Sequence, residues 1–120
     1  MRRGKLIARA RIATLVALCV AVLIVSETLV GLTQPQYVVS QKGREFRPAE
    51  ITIKRGETVQ IVNDDGDLRH HAYIESDNFN FDSGDQEPGT RTNITIPVAG
   101  NFNVLCAIHP KMKLVVHVQP

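Results

Sequence analysis

Asn101-Phe102-Asn103-Val104-Leu105-Cys106-Ala107-Ile108-His109-Pro110-Lys111-Met112-Lys113-Leu114-Val115-Val116-His117-Val118 is the stretch on which the fold turns. Phe102, Val104 and Cys106 share one phase of a two-residue period. After the break around Pro110, Leu114, Val116 and Val118 share a phase again, with Val115 and His117 on the opposite face. Alternation of this kind marks strands with one buried side, because successive side chains of a strand point to opposite faces. The run therefore reads as two strands joined by one tight connection.

Working outward, the same period recurs. Ile51-Thr52-Ile53-Lys54 alternates, Arg55-Gly56-Glu57 turns, and Thr58-Val59-Gln60-Ile61-Val62 alternates once more. Tyr37–Ser40, His71–Ile74 and Asn93-Ile94-Thr95-Ile96 complete the set, the last closed by Pro97 and a turn at Ala99-Gly100. Residues 76–92 show no period and are rich in Asp, Asn and Gly, so they form a long connection that Phe79 and Phe81 pin to the core. Short strands at this spacing, without helical periodicity, predict an all-β protein: a Greek-key β-sandwich of about seven to eight strands. The expected domain covers residues 38–120, after a linker at residues 34–37.

The first 33 residues are of another kind. Arg2, Arg3, Lys5, Arg9 and Arg11 precede an apolar run from Ile12 to Val25, and Leu29–Leu32 resumes it after Ser26-Glu27-Thr28. A basic start before such a run reads as the n-region and h-region of a signal peptide. Counted over residues 12–32 the helix is also about long enough to span a bilayer, and no A-x-A-like cleavage site follows. Residues 1–33 are thus a signal peptide or an N-terminal membrane anchor. Either way the domain is exported, to the periplasm, because basic residues stay on the cytoplasmic side.

This leader carries the basic balance. The chain has a net charge of +2, but residues 34–120 hold nine Lys or Arg against eleven Asp or Glu. Nothing in that balance suggests nucleic-acid binding. Cys19 falls in the leader, which leaves Cys106 as the single cysteine of the exported part. It has no partner for an internal disulfide in an oxidising compartment, so it is either buried and inert or committed to chemistry.

Cys106, His109 and Met112 place a thiolate, an imidazole and a thioether three residues apart along one turn, and His70-His71 lies upstream. Each alone is ordinary: a buried cysteine, a surface histidine, a core methionine. Together they match two His, one Cys and a weak axial Met, the ligand set of electron-transfer copper sites. Structural zinc would call for four Cys or His ligands. A cysteine nucleophile with a histidine base is the enzymatic alternative, but shared ligation fits the spacing better, so no enzyme is expected.

The loop C-x-x-H-P-x-M from Cys106 to Met112 resembles the short ligand loop of the cupredoxins, the family of plastocyanin, amicyanin and pseudoazurin. Phe46-Arg47-Pro48-Ala49-Glu50-Ile51-Thr52-Ile53-Lys54-Arg55-Gly56-Glu57-Thr58-Val59-Gln60-Ile61-Val62-Asn63 is similar to the family's F-x-P-x-x-I-x-I-x-x-G-x-x-V stretch leading to Asn. The resemblance spans roughly Val38 to Val118. It implies one copper ion, cycling between Cu(I) and Cu(II), at one end of the sandwich, with one-electron transfer as the activity. It also implies a first ligand on an inward strand phase. His70, with Ala72 and Ile74 two and four residues on, fits that phase better than His71, with Tyr73 and Glu75; His71 stays as the alternative. Many members carry Asn directly after this histidine, where this chain has His71.

The expected function is a periplasmic one-electron carrier, monomeric, docking redox protein partners near His109. Any membrane contact would run only through an uncleaved N-terminal segment. Copper storage or delivery is the alternative, and a metal-free interaction sandwich a third. Asp64, Asp65, Asp67, Glu75, Asp77, Asp82, Asp85 and Glu87 offer an acidic surface that either steers a basic partner or keeps the protein soluble.

Overall fold

Apolar side chains at alternate positions bury one face of nearly every strand in residues 35–120, the part described by the structure, a computed structural model. The expected leader helix lies outside the described residues. Nine strands follow in order: β1 (Tyr37–Lys42), β2 (Glu45–Arg47), β3 (Glu50–Lys54), β4 (Thr58–Asn63), β5 (Ala72–Ile74), β6 (Phe81–Asp82), β7 (Arg91–Thr95), β8 (Gly100–Cys106) and β9 (Lys113–Gln119). They form two mixed sheets, β2-β1-β4-β7 and β3-β9-β8-β5-β6, each with one parallel pair, β1 with β4 and β3 with β9. This is the all-β Greek-key sandwich that the period-2 pattern predicts.

Nine strands are one or two more than the expected seven to eight, and the two that no period marks, β2 and β6, are short. β2 exists because Gly43 and Arg44 make a two-residue turn that folds Glu45–Arg47 back on β1, pairing Lys42 with Glu45. Phe46 is thereby buried. β6 is two residues in the segment that sequence reads as one long connection, pairing Tyr73 with Asp82. A two-residue strand leaves no period to detect. Phe79 and Phe81 do pack against the core, Phe79 edge-on to Phe102 with ring centroids 6.0 Å apart.

The core between the sheets is aliphatic: Val39, Ile53, Ile61, Ile74, Ile96, Val104, Leu114 and Val116 are each almost fully enclosed. Leu114, Val116 and Val118 point inward from β9 while Val115 and His117 do not. Four buried polar side chains, Gln41, Asn63, His70 and Gln86, interrupt this core. Burying a polar group is costly unless it is hydrogen-bonded. Gln41 donates to Gln86 at 2.8 Å, Gln86 donates to Thr92 at 2.9 Å, and Asn63 donates to the carbonyls of Leu68 and Gln86 at 2.8 and 2.9 Å. These bonds fasten the segments before β5 and before β7 around His70. Among the described residues no helix is long and apolar enough to cross a membrane.

Candidate metal centre

Cys106 ends β8 with its side chain on the buried face, because it lies in phase with Phe102 and Val104. Antiparallel pairing sets Ala72 of β5 opposite Cys106. His70, two residues before Ala72 and so on the same face, makes an isolated bridge with Gln86, with backbone bonds of 3.0 and 2.7 Å. The turn after Cys106 is closed by the Met112 amide donating to the His109 carbonyl at 3.0 Å. It is tied to the chain between His70 and β5 by the Ala107 amide donating to the His71 carbonyl, also at 3.0 Å.

Three side chains converge as a result. Cys106 Sγ stands 3.9 Å from His70 Nδ1 and 3.9 Å from His109 Nδ1, and the two Nδ1 atoms are 3.3 Å apart. The imidazole rings are tilted by 59° with centroids 5.0 Å apart. His70 and Cys106 are buried and His109 is half-buried. Met112, nearly fully enclosed, belongs to the same core cluster as Cys106.

His71 takes no part in this convergence. Its Nε2 lies 2.6 Å from Asp82 and its Nδ1 3.2 Å from Asp85, on the flank of the sandwich. His117 faces Glu50 at 2.6 Å and Asn101 at 2.7 Å from β9, away from the cluster.

One participant escapes a reading of the sequence. Asp65, two residues past β4, sets one carboxylate oxygen 2.7 Å from His70 Nε2, while its other oxygen accepts the Gly43 amide at 3.0 Å. The carboxylate is nine-tenths enclosed. A carboxylate beside Nε2 keeps the proton there and leaves Nδ1, the atom facing Cys106, with its lone pair free. Burial pushes the Asp65 pKa upward, but the Gly43 amide, the hydrogen bond and charge of His70 and the charge of Lys42 together bring it below its usual value. The signal for this role is only Asp five residues before His, which no period marks. At His109 burial lowers the pKa, helped by His70 and Arg44 and opposed by Asp65, so this ring favours the neutral form that binds metals.

The donor chemistry can be tested against a metal. A point equidistant from the three atoms lies about 2.2 Å from each, between the ~2.0–2.1 Å nitrogen and ~2.3 Å sulfur distances that zinc adopts with such donors. The set is one thiolate and two imidazoles beside a buried thioether, soft donors that suit copper. A lone cysteine with two histidines falls one ligand short of a structural zinc site.

A two-sheet sandwich carrying a buried cysteine–histidine cluster at the loop between its last strands has the fold and the soft donor set of a copper-binding protein. The description of the cupredoxin-like domain matches residues 14–116, and the chain belongs to the cupredoxin family. Among solved structures it is similar to the copper-containing nitrite reductase of Thermus scotoductus SA-01, at 31% identity and TM-score 0.64 over 70% of this chain. That match spans 22% of the reductase's length. It is also similar to a reduced amicyanin variant, at 21% identity and TM-score 0.64 over 69% of this chain and 81% of that one. A purple cupredoxin from Nitrosopumilus maritimus matches at 20% identity and TM-score 0.61, over 70% of this chain and all of that one. The last two likenesses speak to the fold. No curated protein sequence matches. The family and the cluster of His70, Cys106 and His109 fit a single copper site.

Proposed function

We propose that this chain is a type 1 copper protein whose metal is held by His70, Cys106 and His109 with Met112 as the weak axial ligand, and that it carries single electrons between redox proteins in the periplasm. The convergence of Cys106 Sγ with the two Nδ1 atoms is the observation that carries this reading. Bound copper would supply a one-electron couple between Cu(I) and Cu(II). The protein's part is to hold the donors still. The fully enclosed His70 ring is held by Asp65, and its backbone by the bridge to Gln86. Cys106 is anchored at the end of a seven-residue strand. Such fixed donors suit a couple that must not rearrange when charge changes.

His109 differs in being partly exposed, and it lines a surface groove with Ile108, Pro110 and Lys111. Electrons would pass by its ring edge, with redox partners docking there. Residues 1–33 act as the export signal or as an inner-membrane anchor, and residues 38–120 form the working domain, a monomer that carries electrons and catalyses no reaction itself.

Voltammetry of the copper-loaded chain tests the carrier role. The expected result is a reversible one-electron wave that survives many cycles, together with an intense visible thiolate-to-copper band that Cys106→Ser abolishes. Loss of the metal on reduction would point instead to copper delivery.

A further inference from the structure

Among the described residues Arg44 is the one non-glycine with positive φ, at 62°, and Gly43 before it stands at 60°. Positive φ at both central residues is what a two-residue hairpin turn between twisted strands demands, and Gly or Asn normally supplies it. Arginine in this conformation pushes its Cβ toward the following carbonyl. Such strain, where it persists, tends to mark a functional position.

Arg44 lines the same groove as His109, together with Gly43, Glu45, Ile108, Pro110 and Lys111. Ile108 is 43% exposed there, one of two large apolar side chains so exposed among the described residues. Glu45, the one acidic residue of the groove, is bound by Arg47 at 3.0 Å. Among the described residues neither Arg44 nor Lys111 has an ion-pair partner, so the rim of the groove is positive.

Several acidic groups are already engaged by other partners. Asp65 is turned inward to His70, Asp82 and Asp85 face His71, and Asp85 and Glu87 bind Arg69 at 3.1 and 2.8 Å. A basic partner drawn to Asp82, Asp85 and Glu87 would meet the flank that carries His71 and Arg69 and not the groove beside His109.

We infer that the groove beside His109 docks an acidic surface of a redox protein, with Arg44 held in its left-handed turn to meet a partner carboxylate while Ile108 and Pro110 make the apolar contact. The inference rests on the carrier reading above. It reverses the charge expected of the partner from the count of acidic residues alone. Rim charges of this kind act chiefly on the rate of encounter and are screened by salt.

Two small oxidants of opposite charge, hexacyanoferrate(III) and tris(phenanthroline)cobalt(III), probe the port directly on the reduced, copper-loaded chain. Arg44→Gly removes the charge and relieves the turn, so the variant should fold, and Arg44→Lys keeps the charge. At low ionic strength Arg44→Gly should slow the anionic oxidant several-fold and leave the cationic one unslowed, Arg44→Lys should react as the parent does, and high salt should erase the difference. A hexaglutamate peptide should shift the NMR signals of Arg44, Ile108 and Lys111 in the Cu(I) form. Equal rates in parent and Arg44→Gly for the anionic oxidant, equal slowing of both oxidants, or peptide shifts confined to other surfaces would overturn the inference. A chain that never takes up copper with a visible band would instead defeat the carrier reading.

Discussion

At the scale of single residues, the cluster is a cysteine and two imidazoles, with the His70 ring oriented from behind by Asp65. Of the proposed ligands, Cys106, His109 and Met112 stand out in the sequence because one loop carries them at a fixed spacing. His70 follows from strand phase, since a strand sends every second side chain to the same face. Asp65 is not legible that way. It is one of several acidic residues in its region, and its contact with His70 depends on where the chain turns after β4, which Asn63 controls by accepting the Asp65 amide at 3.0 Å. Replacing Asp65 by Asn should lower Cu(II) affinity by about tenfold, the lower end for residues that orient a metal-bound histidine. Competition titration against a chelator measures this, and an unchanged affinity would mean that the carboxylate does nothing for the ligand.

At the scale of elements, β5 is only three residues long and depends on its neighbours. Gln86 accepts from the Ala72 amide at 3.1 Å and from Gln41 at 2.8 Å, and donates to Thr92. The sequence gives no sign of this, because a glutamine in a polar stretch looks like surface. Gln86→Leu would leave the buried Gln41 side chain without its acceptor and should cost about 2 kcal/mol of stability, measurable by urea unfolding. The long strands β4, β8 and β9 were open to reading for the opposite reason, as each repeats its period often enough to be seen. At the flank, the Gly84 amide and the His71 hydrogen bond hold the Asp82 pKa below the ordinary aspartate value of 3.8, against the opposing effect of burial. A carboxylate with a depressed folded pKa stabilises fully above 3.8, and that contribution fades as the pH falls through the folded value. The gap in unfolding midpoint between the parent and Asp82→Asn should therefore close as the pH is lowered from about 5 to about 2.

At the scale of the whole molecule, the site joins the two sheets. The segment before β5, the end of β8 and the loop before β9 carry the proposed ligands His70, Cys106, His109 and Met112, while Asp65 follows β4 of the other sheet and binds the turn between β1 and β2. Sandwich architecture was legible because it needs only alternation and turns. The joining was not, because it rests on contacts between residues far apart in sequence. A metal bound only by the folded form adds stability by mass action, about 2.7 kcal/mol at a free concentration a hundred times the dissociation constant. The metal-free form should respond to pH through His109. Its folded pKa is lowered from 6.5, so the unfolded chain binds more protons between the folded value and 6.5, and stability should fall as the pH drops through that window. Urea unfolding of the metal-free chain above and below pH 6.5 checks this; a flat profile would show that His109 is not held neutral.

The most direct measurement is the visible spectrum of the chain titrated with Cu(II), taken in parallel on His70→Ala, His71→Ala and Cys106→Ser. An intense thiolate-to-copper band should rise to one equivalent in the parent and in His71→Ala, collapse or shift strongly in His70→Ala, and vanish in Cys106→Ser. A parent without the band, or a band that His71→Ala removes and His70→Ala leaves intact, would contradict the ligand set.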